Sequence, residues 1–174
     1  DRELAGLTPN DRVSALDGAQ PEFSRPVSAY IKAALTQSRI DIGMRRRNEP
    51  FFPAIERRYG VPREILMGIW AQESGFGSIL GDFDIIRSMA TLAADGRRRA
   101  WAEGELVAAL QIIASGEHPR SRLKGSWAGA FGQTQFIPTT YLSTPVDGDG
   151  DGRRDLWGSA ADALASAANL LAKA

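Results

Sequence analysis

Residues 61–77 read V-P-R-E-I-L-M-G-I-W-A-Q-E-S-G-F-G, and the organisation of the chain turns on this stretch. Its apolar spacing is helical: Leu66, Ile69 and Trp70 recur at steps of three and four and share one face. Pro62 suits the first helical turn, where its missing N–H has no intrahelical partner to lose. Gly75 and Gly77 end the helix. Glu73 stands four residues after Ile69 and three after Trp70, so the same periodicity places a carboxylate on the apolar stripe. A carboxylate there costs free energy unless it is paired, protonated or facing a cleft. Burial would raise its pKa, as a general acid requires. The competing reading is a helix end that turns outward, or an ion pair with one of the 21 Lys and Arg residues.

Composition narrows the classes. The 174 residues carry 21 basic and 21 acidic side chains, and this zero formal charge argues against nucleic-acid binding. With 43% hydrophobic residues, the chain fits one globular domain with an appendage. The absence of cysteine excludes a thiol nucleophile, a thiolate zinc site and disulfides. The single His118, in a polar E-H-P-R loop, argues against a histidine-bound zinc and a Ser-His-Asp triad. No apolar run reaches membrane-spanning length. The opening at Asp1 without Met leads us to expect a mature or trimmed form.

Outward from the Glu73 stretch, helical patterns dominate. Residues 1–26 are polar and broken by Pro9, Gly18, Pro21 and Pro26, with Gln20–Phe23 expected to lie extended on the body. Val27 to Gln37 reads as a helix with Val27, Ile31, Ala34 and Leu35 inward. The basic run Arg45, Arg46, Arg47 reads as a solvated face. Phe51, Phe52, Ile55 and Tyr59 form a packed helix ahead of Gly60. Asp82 to Ala94 is helical, with Asp84 as N-cap. Ala100 to Ser115 is a helix with Leu106, Val107, Leu110, Ile113 and Ala114 inward and Gly116 as its stop. Ser159 to Ala174 is an alanine-rich helix that reaches the chain end uncapped, from which we expect truncation. The sum is a mainly α fold with little or no sheet.

Two loops break this pattern. Leu123–Tyr141 reads L-K-G-S-W-A-G-A-F-G-Q-T-Q-F-I-P-T-T-Y. Its glycines allow close backbone approach, its aromatics offer flat faces, and Gln133 and Gln135 add amide groups. That mixture suits a sugar-binding wall; a glycine-rich turn packed into the core reads equally well. Asp147–Asp155 reads D-G-D-G-D-G-R-R-D, with carboxylates at loop positions one, three, five and nine and Gly152 at six. This matches the first half of an EF-hand calcium loop. Position twelve is Gly158 rather than Glu, and the next acid is Asp162, which also completes a Ser159-x-x-Asp162 capping box. The alternative to a cation loop is an acidic turn.

Three stretches together, W-A-Q-E-S-G-F-G, K-G-S-W-A-G-A-F-G-Q-T-Q-F-I-P-T-T-Y and V-D-G-D-G-D-G-R-R-D-L-W, resemble the lytic murein transglycosylases of the membrane-bound B type in order and spacing. The opening L-T-P-N and Q-P-E-F are similar too, so the resemblance covers nearly the whole chain. It implies a lysozyme-like α-domain with glycine-rich loops and an EF-hand-like cation loop. It divides the chain into an N-terminal helical and irregular segment, 1–60, and a catalytic domain, 61–174, carrying the loop at 147–162. It also implies cleavage of the β-1,4 bond between N-acetylmuramic acid and N-acetylglucosamine in peptidoglycan, leaving 1,6-anhydromuramoyl ends without net hydrolysis. Glu73 would be the single acid/base, with Ser126, Gln135, Gln133 and Tyr141 on the sugars and Arg98 and Arg99 on muramoyl carboxylates. A structural Ca2+ would be held by Asp147, Asp149, Asp151, the Arg153 carbonyl and Asp162; no organic cofactor is implied. The expected setting is a periplasmic monomer acting on glycan strands, outer-membrane-anchored in full-length form, with cell-wall synthesis or division proteins as partners. The family continues beyond this chain's end with further cleft residues, and Asn169-Leu170 stands where it often has Asn-Tyr. Two other classes stay open: a lysozyme- or chitinase-type hydrolase using Asp82 or Asp84 to activate water, and a non-catalytic murein-binding module.

Overall fold

Helices make up most of the computed structural model, which describes residues 2–19 and 26–174; Gln20–Phe23, expected to be extended, lie outside the described residues. In chain order the elements are α1 (Asp11–Ala19), α2 (Val27–Ala34), α3 (Gln37–Arg46), α4 (Phe52–Tyr59), α5 (Arg63–Ser74), β1 (Phe83–Asp84), α6 (Ile85–Asp95), α7 (Arg99–Ala114), β2 (Lys124–Gly125), α8 (Pro138–Ser143) and α9 (Ala160–Lys173). The chain divides into two units. One comprises Asp1–Gln20, Leu80–Phe131 and Gln135–Ser143; the other comprises Pro21–Ile79, Gly132–Thr134 and Thr144–Ala174. Residue 60 therefore falls inside the second unit, with α4 and α5 on either side of it.

In the first unit α6 packs on α7, α1 lies against α6, and α8 lies against α7. Asp84 caps α6 by accepting from the Arg87 N–H at 2.9 Å, and Ile85, Ile86, Met89 and Leu92 are buried as their spacing requires. Residues 1–26 are not irregular throughout. The Asn10 side chain accepts from the Arg12 N–H at 3.1 Å and opens α1, which the prolines and glycine of the region had masked. In α7 the buried residues are Ala102, Glu105, Ala108, Ala109 and Ile112, while Val107 is 55% exposed. The expected inward face is thus rotated. α7 is apolar on more than one side, and its alanine face admits close neighbours. Glu105 is buried because it accepts from Thr139 N–H at 3.0 Å and Thr139 Oγ1 at 2.7 Å, capping α8. β1 and β2 pair antiparallel, Phe83 opposite Gly125. Gly81 (φ +84°) approaches the Gly125 carbonyl so closely that a Cβ would overlap it.

In the second unit α9 is the hub. Ala161 to Ala168 are all buried, and α4 and α5 both pack on α9 while α3 packs on α5. Ser159 Oγ caps α9 by accepting from the Asp162 N–H at 3.2 Å. α4 buries Phe52 and Ile55 and stops at Gly60 in the left-handed region. α2 forms at the expected place, but Val27, Ile31 and Leu35 are 74%, 51% and 66% exposed instead of inward. Their spacing marks a helical stripe correctly; no described residue covers it. Among the described residues no helix is long and apolar enough to cross a membrane.

Candidate active site

The buried line of α5 runs Leu66, Trp70, Ser74, in steps of four. Ile69 is half-buried, and Glu73 stands exposed beside that line. The stripe inferred from periodicity is therefore real but turned by one residue, because the helix seats Ser74 rather than Glu73 in the core. Ser74 Oγ donates to the Gln133 carbonyl at 2.6 Å and accepts from the Gly77 N–H at 2.9 Å. Trp70 Nε1 donates to Gln133 Oε1 at 2.8 Å, and Gln133 Nε2 donates to the Trp157 carbonyl at 3.2 Å. The Gln133 N–H donates to the Leu156 carbonyl at 2.8 Å. Gln133, expected on the substrate, is a buried strut whose amide is occupied at both ends. The role of Ser74 escaped sequence reasoning; the signal was Trp70, an indole N–H on a buried face that needs an acceptor.

Glu73 has no ion pair among the described residues, which excludes the arginine-paired alternative. Its carboxyl is pushed above the ordinary glutamate range by desolvation alone. The residue is exposed yet partly desolvated, with no cation paired to it among the described residues to favour the charged form. The helix ends at Gly75 in the left-handed region, and Phe76 follows at φ 61°. A bulky residue there stores about 1–3 kcal/mol of strain. Phe76 is held by burial and by an edge contact with Trp70, ring centres 5.4 Å apart. Among the described residues the other non-glycine at positive φ is Gln135 (50°), also in a motif stretch.

Ser126, Gln135, Arg98, Arg99 and Tyr141 belong to the first unit, Glu73 and Gln133 to the second. Ser126 closes its own turn: its N–H donates to the Ala130 carbonyl at 2.7 Å and its Oγ accepts from the Ala130 N–H at 3.0 Å. Gln135 is half-buried, and its Nε2 donates to the Leu80 carbonyl at 3.4 Å. Arg98 is engaged: it pairs with Asp17 at 3.1 Å and lies over Trp101 at 4.5 Å and Trp127 at 5.6 Å. Arg97 also holds Asp17, at 2.9 Å, and its hydrogen bond is the main cause of that carboxyl's lowered pKa. Arg99 is exposed and has no ion pair among the described residues. Tyr141 departs from the expected sugar wall. It is 2% exposed, shares a 3.0 Å hydrogen bond with His118 Nε2 and packs on Phe131, because its ring fills core volume. Asp84, weighed as a water-activating base, is committed to its cap and to Arg120 at 3.0 Å.

In the acidic loop, carboxylate oxygens of Asp147, Asp149 and Asp151 lie within 4.8 Å of one another. Gly150 and Gly152 take φ of 80° and 86°, and their N–H groups donate to Asp147 at 2.6 and 2.9 Å. Three convergent carboxylates fit a hard cation with oxygen ligands. Asp162 is 1% exposed and serves the loop's backbone: Oδ1 accepts from Gly148 and Asp149, Oδ2 from Asp155. Burial raises its pKa against the pull of those hydrogen bonds. Arg153 donates its N–H to Asp151 at 2.8 Å, and its side chain is exposed.

A helical body with a lone carboxylate ending one helix, a glycine-rich loop and an acidic loop defines a lysozyme-like fold of the transglycosylase kind. Residues 1–174 match the family described as "Transglycosylase SLT domain", and the chain belongs to that family. It is 41% identical over 112 residues to membrane-bound lytic murein transglycosylase B of Escherichia coli (strain K12), covering 64% of this chain and 31% of that protein. It is similar to the structure of SltB3 from Pseudomonas aeruginosa in complex with NAG-NAM-pentapeptide, with a TM-score of 0.93, 47% identity and coverage of 99% of this chain and 47% of that one. SltB3 is also solved with NAG-anhNAM-pentapeptide, at a TM-score of 0.92 and 47% identity, with the same coverage, 99% and 47%. Escherichia coli Slt35 in complex with calcium is similar at a TM-score of 0.89 and 31% identity, with 99% of this chain and 55% of that one covered. The chain thus spans about half the length of these solved relatives and about a third of the curated one.

Proposed function

We propose that this chain is a lytic transglycosylase domain that cleaves the β-1,4 bond between N-acetylmuramic acid and N-acetylglucosamine in peptidoglycan, with Glu73 as the single acid/base. The observation that carries this reading is Glu73 itself: an unpaired carboxyl with a raised pKa, on a helix end fixed by its neighbours Trp70, Ser74 and Gln133. The complex of SltB3 with NAG-anhNAM-pentapeptide supports the reaction type. Protonated Glu73 donates its proton to the glycosidic oxygen as the bond from that oxygen to C1 breaks. The substrate's N-acetyl group shields the cationic centre. The Glu73 carboxylate then takes the proton of the C6 hydroxyl as that oxygen bonds to C1, which restores the acid and adds no water. One group serving twice departs from the usual two-carboxylate glycosidase.

Ser126 and Gln135 are the proposed sugar contacts, and Arg99 offers a guanidinium for a muramoyl carboxylate. Arg98 would act by orienting Trp101 and Trp127, which it spans. Asp147, Asp149 and Asp151 would hold a Ca2+ with a structural role, as calcium-bound Slt35 suggests by likeness. A peptidoglycan substrate would give the domain a periplasmic setting.

The test is product mass after incubation with purified murein. We expect anhydro-ended fragments, one water lighter than hydrolysis products, and a Glu73→Gln variant slowed about 100- to 10,000-fold. Reducing ends alone would reject the reaction type; a fully active Glu73→Gln would reject the residue.

A further inference from the structure

The first unit holds a buried carboxylate that the proposed chemistry leaves unused: Asp17, near the end of α1 and 5% exposed. Two consecutive arginines reach it. Arg97 Nε donates to Asp17 Oδ2 at 2.9 Å, and Arg97 Nη2 donates to the Asp17 carbonyl. The side-chain hydrogen bond from Arg97 holds the carboxyl below the ordinary aspartate range, so it stays charged. Arg98 Nη2 stands 3.1 Å from Asp17 Oδ1, and Asp17 is the one carboxylate paired with Arg98 among the described residues. The same guanidinium lies over Trp101 at 4.5 Å and over Trp127 at 5.6 Å, and both indoles are half-buried. Two ring faces and one carboxylate fix a planar cation; without the carboxylate, its flexible stem admits other rotamers.

Trp127 sits in the turn that begins at Ser126, and the backbone of that turn closes itself. The Ser126 N–H donates to the Ala130 carbonyl at 2.7 Å, and the Gly129 N–H donates to the Ser126 carbonyl at 3.1 Å. What the guanidinium can set is the direction of the Trp127 ring. α1 has its own anchors as well. The Asn10 N–H donates to Thr91 Oγ1 at 3.0 Å, Ser14 Oγ donates to Asp95 at 2.6 Å, and Arg87 Nε donates to the Thr8 carbonyl at 2.8 Å. Docking of the helix therefore does not account for a buried charge at Asp17.

We infer that Asp17 is a positioning residue for the glycan wall: its carboxylate fixes the Arg98 guanidinium over Trp101 and Trp127, and so sets the indole face beside Ser126. The inference rests on the murein reading above and deepens it, adding a residue that touches no substrate.

The test reads the indoles and the enzyme separately. The protein is labelled with 5-fluorotryptophan, and the Trp101 and Trp127 resonances are assigned from Trp101→Phe and Trp127→Phe. We expect Asp17→Asn to move both resonances and to leave Trp70 and Trp157, in the second unit, in place. Arg97→Gln loosens α1 but spares the Asp17–Arg98 pair, and should move neither. In cleavage of soluble glycan strands, Asp17→Asn should raise KM about 3- to 30-fold, the range of a cation–π contact, with kcat within about twofold. In an Arg98→Met background the same substitution should add nothing. Unmoved Trp101 and Trp127 resonances, equal effects from Arg97→Gln, or a further rise in the Arg98→Met background each overturn the inference. So does a shift of all four resonances together, which would make Asp17 a prop of the fold. Selective shifts with KM unchanged in an active enzyme overturn the role in binding and leave the enzyme. Selective shifts in a protein that cleaves no murein keep the hold on the indoles and reject the enzyme.

Discussion

An exposed carboxyl with a raised pKa needs a cause, and at Glu73 the cause is the packed protein behind it rather than a neighbouring anion. The sign of the pH effect follows. The folded chain holds the Glu73 proton to higher pH than the unfolded chain does, so this group's contribution turns unfavourable as pH rises from the unfolded value of 4.5 through the folded one. We expect Glu73→Gln and the parent to melt together below that window and the variant to melt higher above it, read by thermal scans across pH. Activity should fall along a basic limb set by loss of the same proton, placed above the ordinary glutamate range. Gln133 offers a second residue-scale outcome. Gln133→Ala leaves the buried Trp70 Nε1–H without its acceptor, and we expect a loss of about 1–3 kcal/mol in chemical denaturation. Neither effect was legible from periodicity alone. Spacing placed Glu73 near the right face, but a step of one residue separates Glu73 from the seat that Ser74 occupies, and only the Ser74–Gln133 bond decides between them.

Caps and breakers were the most legible features among the elements. Asp84, Ser159 and Gly60 stand where local backbone chemistry requires them, because a cap is decided within one turn of chain. The facing of α7 and α2 was not legible, since a helix apolar on several sides turns whichever side its neighbours select. The acidic loop shows both cases. Its alternating aspartates converge as expected, while Asp162 reaches in from α9 to hold three backbone N–H groups. Asp162→Asn supplies one acceptor oxygen in place of two. We expect a lower melting temperature and weaker cation binding together, the second read as a smaller calcium-induced rise in melting temperature. In the parent, millimolar calcium should raise the melting temperature, because a ligand bound only to the folded chain stabilises it; no rise would leave the loop an acidic turn. At the joint between α4 and α5, Glu56 accepts from the Arg63 N–H at 3.0 Å and pairs with its guanidinium at 2.6 Å, which holds the carboxyl down to about 2. That stabilisation is present above 4.5 and disappears as pH falls toward about 2. Glu56→Gln should therefore lower the melting temperature at neutral pH and leave it unchanged near pH 2.

For the molecule as a whole, connectivity outweighs sequence order. The division into two units assigns neither an unbroken length of chain, so no single cut releases one intact. Trp101 and Trp127 report on the first unit, Trp70 and Trp157 on the second. We expect fluorescence from variants keeping one pair or the other to give coincident denaturation midpoints, and separated midpoints would show units that melt independently. The family was readable from three motifs because each carries its own local chemistry. The division was not, because it depends on which distant segments meet.

The run from Phe131 to Phe136 meets two demands within a few residues. Phe131 and Phe136 exchange reciprocal backbone hydrogen bonds, each 2.9 Å, while Gln133 is tied to Leu156 and Trp157. Gln133 and Gln135, only two positions apart, answer to different neighbourhoods. Length here is consequently as constrained as identity: gaining or losing one residue in this hairpin would bring Gly132 or Thr134 to the place of Gln133 and take from the Trp70 indole N–H the amide oxygen it donates to, even with every other side chain kept.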